Sequence, residues 1–210
     1  MTIAPGMAFA VWVGRETIMK ATLTALFATI ALLVAPSVAS AQMTLKDRAV
    51  FDKIVEQVNR YTQFTVFDSI SASVEDGRVV LSGWVTMPYK RDDIERRVQK
   101  VDGVETVENG IGVLPVSIFD DQLRFRIARA IYGNSSFWHY ASMVNPPIHI
   151  VVNRGRVTLE GVVNSNVERM LARSLATGFG EFEVKNLLQT DAEVRESLAA
   201  ASTAMEPLAR

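Results

Sequence analysis

An internal duplication constrains this 210-residue chain more than any other feature. Asp76-Gly-Arg-Val-Val-Leu-Ser-Gly83 recurs as Arg154-Gly-Arg-Val-Thr-Leu-Glu-Gly161. Farther on, Gly103-Val-Glu-Thr-Val-Glu-Asn109 recurs as Gly180-Glu-Phe-Glu-Val-Lys-Asn186. Two matches in the same order, one position out of step, mean one unit copied with a small length change. Two small domains are expected, at residues 47–115 and 117–190, joined by Leu114-Pro115-Val116-Ser117.

The two units carry the same hydrophobic pattern. Val50, Ile54, Val58 and Tyr61 fall at helical spacing in the first, and Leu123, Ile127, Ala130 and Ile131 do so in the second. Ile70, Ala72 and Val74 then alternate with serines, matched by Ile148, Ile150 and Val152. Asp76-Gly77 marks a tight turn, because glycine accepts positive φ without steric cost. Return strands hold Val79, Leu81, Trp84 and Val85, and Val157, Leu159 and Val163. Pro88 suits the first turn of a second helix, and Asn164 or Ser165 caps its counterpart. Glycines at 103, 178 and 180 end these helices before third strands near 104–113 and 182–188. The fold class is α+β: two tandem αββαβ domains, each a three-stranded sheet with two helices. Units this small bury only modest cores, so a short link favours their packing together. Residues 191–210 read as a polar C-terminal helix or tail.

The start of the chain has another character. Met19-Lys20 precedes an uncharged run from Ala21 to Val34, then Pro36 and Ala39-Ser40-Ala41. A cationic start, a short apolar run and an A-x-A site form a secretory signal. The run is shorter than the roughly 20 residues needed to span a bilayer. Residues 1–41 are therefore expected to be a signal region, started at Met19 and cleaved after Ala41. With no Cys, neither a disulfide nor a lipidated N-terminal cysteine is available. The expected product is periplasmic and is not a lipoprotein.

Composition excludes further classes. Lys+Arg 22 against Asp+Glu 23 gives a net charge of −1, without the basic excess of a nucleic-acid binder. His139 and His149 stand in no metal-ligand spacing, and no nucleophile elbow or phosphate loop is present. No catalysis, metal or cofactor is expected.

Asp76, Gly77, Val79, Leu81 and Gly83, followed by Gly103, Val104, Val107 and Asn109, resemble the BON domain pattern, D-G-x-V-x-L-x-G then G-V-x-x-V-x-N. The second unit keeps Gly155, Val157, Leu159, Gly161, Gly180, Val184 and Asn186, and departs at Arg154 and Phe182. With a leader and tandem repeats, the chain is similar to periplasmic dual-BON proteins of the osmotically inducible type. The resemblance implies the αββαβ fold, a non-catalytic role in envelope maintenance or osmotic stress, and binding to phospholipid surfaces. Its motif residues read as architectural: glycines for turns, Val and Leu for core, Asn for a strand-end cap.

Charge places the expected site. The first unit holds 9 basic and 12 acidic residues; the second holds 8 basic and 6 acidic, so it is the one suited to an anionic surface. At 100° per residue, Arg126 and Arg129 lie to one side of the core stripe of its first helix, and Phe125 falls nearly opposite the core. That set suits a bilayer interface, although Phe125 packed on the other repeat is an equal reading. An inserted loop, 134–147, adds Phe137 and Trp138, which either meet lipid or wedge the loop onto the fold. Phe125, Arg126, Arg129, Phe137 and Trp138 are thus the candidate lipid-binding residues. Lys90 and Arg91, in a mixed-charge helix of the first unit, serve as an exposed control pair. The expected partner is an anionic phospholipid surface, held weakly and peripherally. The alternative is a scaffold module in an envelope complex with a protein partner, and a carbohydrate binder ranks third. The sequence leaves the oligomeric state open.

Overall fold

The computed structural model describes residues 44–205; the expected leader and its cleavage point lie outside them. Helix α1 (Leu45–Asn59) begins in a capping box, with the Thr44 hydroxyl accepting from Asp47 N–H and the Asp47 carboxylate accepting in return. Its residues Val50, Ile54 and Val58 bury against the hairpin of β1 (Ser69–Glu75) and β2 (Arg78–Val85). Helix α2 (Pro88–Val98) follows, with proline at its start. The second unit repeats the order with α3 (Ile118–Tyr132), a short 3₁₀ turn, α4 (Trp138–Ala141), β5 (Ile148–Asn153), β6 (Arg156–Val163) and α5 (Asn166–Leu175).

The expected single third strand is two strands in each unit. β3 (Thr106–Asn109) and β4 (Gly112–Val113) both run parallel to β2, as β7 (Glu183–Asn186) and β8 (Gln189–Thr190) do to β6. The asparagine makes the break. Asn109 Oδ1 accepts from Ile111 N–H at 3.1 Å, and Asn186 Oδ1 accepts from Leu188 N–H at 3.2 Å. Their amide groups donate to helix carbonyls, Asn109 to Arg91 and Asn186 to Arg169. One side chain thus turns the strand and ties it to the overlying helix. The chain is α+β, with each small sheet backed by its helices. Helix α6 (Asp191–Met205) follows β8.

Two motif glycines are not turn residues. Gly83 and Gly161 lie inside β2 and β6 at φ +117° and +118°, facing the backbone of Ser69 and Pro147. A Cβ at 161 would overlap the Pro147 carbonyl oxygen, so the hairpin can close only around glycine.

The repeats touch through the segment before β1. Val66 C=O accepts from Ile150 N–H at 2.7 Å, Phe64 lies 5.4 Å from the His149 ring, and Phe67 packs against the second core. Ser69 hydroxyl donates to Glu160. From the other side, the amide of Asn145 in the inserted loop donates to the Asn59 carbonyl at the end of α1, at 3.0 Å. In the first unit the chain runs from Asn59 at the end of α1 to Ser69 at the start of β1; in the second it runs from Tyr132 to Ile148. The longer connection of the second unit is thus the loop that makes this contact.

Candidate functional site

Helix α3 is built as a two-faced element. Ser117 caps it by accepting from Asp120 N–H at 3.2 Å. Asp120 in turn accepts from Arg154 N–H and Gly155 N–H, both at 2.8 Å, so the helix start holds the β5–β6 turn. Leu123, Ile127 and Ile131 bury in the core. The opposite face carries Ile118 at 78% exposure, Phe125 at 64% and the exposed Arg129, and the flank beside it carries the exposed Arg126 and the half-exposed Phe119. Neither arginine side chain has an ion-pair or hydrogen-bond partner among the described residues. An apolar stripe flanked by uncompensated cations matches an interface of hydrocarbon beneath anionic headgroups.

The two readings of Phe125 meet in one geometry. Its edge packs on Phe67 of the first repeat, with centroids 5.1 Å apart and planes at 76°, while most of the ring stays in solvent. Arg124, counted among the surface charges by sequence, is not one of them. Its guanidinium is buried, donates to the Val152 carbonyl at 2.6 Å and pairs with Asp121.

The inserted loop divides between the two expectations. Phe137 is fully buried in the second core, so its place among the surface residues is corrected. Burying a whole phenyl ring stabilises by about 2–3 kcal/mol, and the 3₁₀ turn points residue 137 inward to do so. Tyr140 is buried too: its hydroxyl donates to Glu168 at 2.7 Å and accepts from Asn164 N–H at 2.9 Å. Burial first, and then the Glu168 carboxylate, push its phenol up to about 12. Trp138, the next residue in the chain after Phe137, is 70% exposed and Val144 nearly wholly so.

Lys90 is also corrected. It is buried, with its ammonium 2.6 Å from the Asp68 carboxylate and 2.8 Å from the Thr86 hydroxyl. Asp68 is enclosed as well, and its two oxygens accept from the backbone N–H and the hydroxyl of both Thr65 and Thr86. Burial alone would raise this carboxyl, but the Lys90 ammonium and the Thr86 and Thr65 donors outweigh it and hold it below its ordinary range. Helical spacing does place Lys90 on the buried stripe of α2, four residues before Ile94 and eight before Val98, but its partner lies far back along the chain, before β1, and has no local signal.

Sequence reading missed Ile118, which lies seven residues before Phe125 on the outer stripe of α3 and which the 100° rule would have found. It missed Phe119 too, which the same rule places beside the core stripe, four residues before Leu123, although it is about half exposed. It also missed Phe182, the departure from the family pattern. Its ring lies over Gly155, whose Cβ would meet it at 2.7 Å and Phe119 at 3.5 Å, so one exposed apolar patch joins the start of α3 to the β5–β6 turn. Among the described residues, no cluster of three His, Asp or Glu can hold a metal, and no helix is long and apolar enough to cross a membrane.

A family model described as BON domain matches residues 47–115 and 120–192. No curated protein matches the chain. Among solved structures, it is similar to CdsD, a structural protein of the type III secretion system of Chlamydia trachomatis, at 12% identity over 72% of this chain and 97% of that one, with a TM-score of 0.27. The C-terminal domain of CdsD aligns at 17% identity over 68% of this chain and 65% of that one, with a TM-score of 0.29.

Proposed function

Because this chain belongs to the BON domain family and carries two copies in tandem, we propose that it is a non-catalytic periplasmic protein that associates with anionic phospholipid and helps maintain the envelope under osmotic stress. BON domains are linked to phospholipid binding and to envelope proteins, and the family is generally non-catalytic. The observation that carries the reading is the outer face of α3, where Ile118, Phe119 and Phe125 stand beside the unpaired Arg126 and Arg129. Two arginines near an anionic surface contribute about 2 kcal/mol. Partial insertion of the three apolar side chains adds about 2–4 kcal/mol. The total corresponds to a Kd of about 1 mM to 0.04 mM, so attachment is peripheral and reversible.

Sedimentation of residues 42–210, without the apolar run at 21–34 that would itself enter lipid, with vesicles of graded anionic-lipid content tests this reading. Association should rise with the anionic fraction and fall with salt, because exposed charges are screened over about 8–10 Å at ordinary ionic strength. Arg126→Glu with Arg129→Glu should abolish it. Lys90 is buried and cannot serve as a control, so Lys53→Glu with Lys100→Glu takes that place, both being exposed on the acidic first repeat. Equal binding to neutral vesicles, or indifference to the arginine reversal, would reject the electrostatic reading. Capture of one stoichiometric envelope protein without vesicle association would favour the scaffold alternative.

A further inference from the structure

The helix-free faces of the two sheets border a groove of about 510 Å³. Trp84 of β2 and Val113 of β4 line one side; Asn153, Arg154, Arg156 and Thr158 of the β5–β6 hairpin line the other. Trp84 is 39% exposed. Its ring lies against Gly112, where a Cβ would come within 2.5 Å of the indole, so glycine lets the ring lie flat along the strand.

The polar side chains of this groove are unspent. Among the described residues, the indole N–H of Trp84 and the side chains of Asn153, Arg154 and Thr158 make no hydrogen bond or ion pair. Arg156 has only Glu183, at 3.7 Å. Arg154 is moreover held at φ +52°, a conformation that favours glycine, asparagine or aspartate and that Asp76 occupies in the first repeat. An arginine is kept there against its backbone preference, with the Asp120 carboxylate bonded to its N–H and not to its guanidinium.

We infer that this groove binds an acidic sugar of one or two rings. The C–H face of a pyranose stacks on the Trp84 indole, its carboxylate lies between Arg154 and Arg156, and its hydroxyls meet Asn153 and Thr158. The volume falls in the range of small-molecule sites, about 300–1,000 Å³. A neutral sugar leaves the Arg154 guanidinium without a charged acceptor and Arg156 with its long contact to Glu183 alone, and an acyl chain leaves the polar groups unpaired as water is expelled. The groove borders the start of α3 at Arg154 but is lined by none of the α3 residues used in the lipid reading, so the inference does not rest on that reading.

Indole N–H resonances of the ¹⁵N-labelled full chain provide the test, with Trp84→Phe and Trp138→Phe assigning those two signals among the three indoles and Trp138 as the reference. Digalacturonate should shift the Trp84 resonance and leave Trp138 in place. Digalactose, the neutral counterpart, should bind at least tenfold more weakly, as should citrate, which has the charge without the ring. Arg154→Gly should weaken digalacturonate binding at least tenfold without lowering the melting temperature, because glycine accepts φ +52° freely. Arg156→Gln, at an exposed position, should weaken it similarly. No shift at Trp84, equal response to digalactose or citrate, or undiminished binding by both arginine variants would overturn the inference.

Discussion

Replacing Asp68 by alanine removes the acceptor of five donors at once: the N–H and hydroxyl groups of Thr65 and Thr86, and the Lys90 ammonium. Lys90 is then left buried with the Thr86 hydroxyl as its remaining partner at 2.8 Å. Breaking a buried pair by deleting one member costs about 3–5 kcal/mol, because the surviving charge is uncompensated. In a domain of this size each kcal/mol moves the midpoint by about 4–8 °C, so the first-unit transition should fall by at least about 12 °C. Circular dichroism melts of the full chain would read it. Hydrogen exchange at Ile150 should rise in parallel, since its N–H donates to Val66 in the segment that Asp68 anchors. Asp68→Leu with Lys90→Met, which replaces both charges by apolar groups, should recover most of the loss. Asp68 also sets an acid limb. Its folded carboxyl ionises below the ordinary value of 3.8, so as pH falls through that value the unfolded chain takes up the proton first and stability declines toward the folded pKa. The alanine variant should flatten that decline. A loss under about 1 kcal/mol, or a double variant no more stable than the single one, would refute the reasoning.

Phe137→Ala should cost the second unit about 3–5 kcal/mol in urea denaturation, whereas Trp138→Ala should stay within about 0.5 kcal/mol. Gly161→Ala should destabilise by more than about 2 kcal/mol, given its φ of +118° and the Pro147 carbonyl in the way; an equilibrium unfolding curve superimposed on that of the unaltered chain would contradict this. Tyr140 titrates at about 12 against an ordinary 10, so between those values the unfolded phenol ionises first and stability should fall with rising pH. Tyr140→Phe should lessen that alkaline slope, to which Tyr61 and Tyr132, also pushed up by burial, contribute the rest, and cost about 1–2 kcal/mol at neutral pH.

The duplication made the fold legible, because each copy repeats both the periodicity and the turn residues. Val50, Ile54 and Val58, and Leu123, Ile127 and Ile131, are buried as helical spacing places them. The break in each third strand was half legible. Asn109 and Asn186 read as strand-end caps, but a cap with two more strand residues beyond it has the same local sequence as a strand that ends. Buried charges were the least legible part. Lys90 and Arg124 sit on helices whose neighbouring charges read as solvated, and only the chain path brings Asp68 and the Val152 carbonyl to them. Phe137 and Trp138 were indistinguishable for a related reason: in a loop without periodicity, adjacent aromatics carry no signal of which one turns inward. The outer face of α3 needed only the helical angle, and so most of it was visible.

The asparagine break has a consequence for life at high local concentration. A sheet edge offers its free N–H and C=O groups to any passing strand, and the offer strengthens with the length of the straight run. On one side of each sheet the edge is β3 or β7, four residues each, followed by a step and only two more. β5, on the far side of the second sheet, already gives its Ile150 N–H to Val66. Many copies crowded on one surface would therefore meet blunt edges on the β3 and β7 sides, and strand-by-strand polymerisation there would find no template long enough to start on.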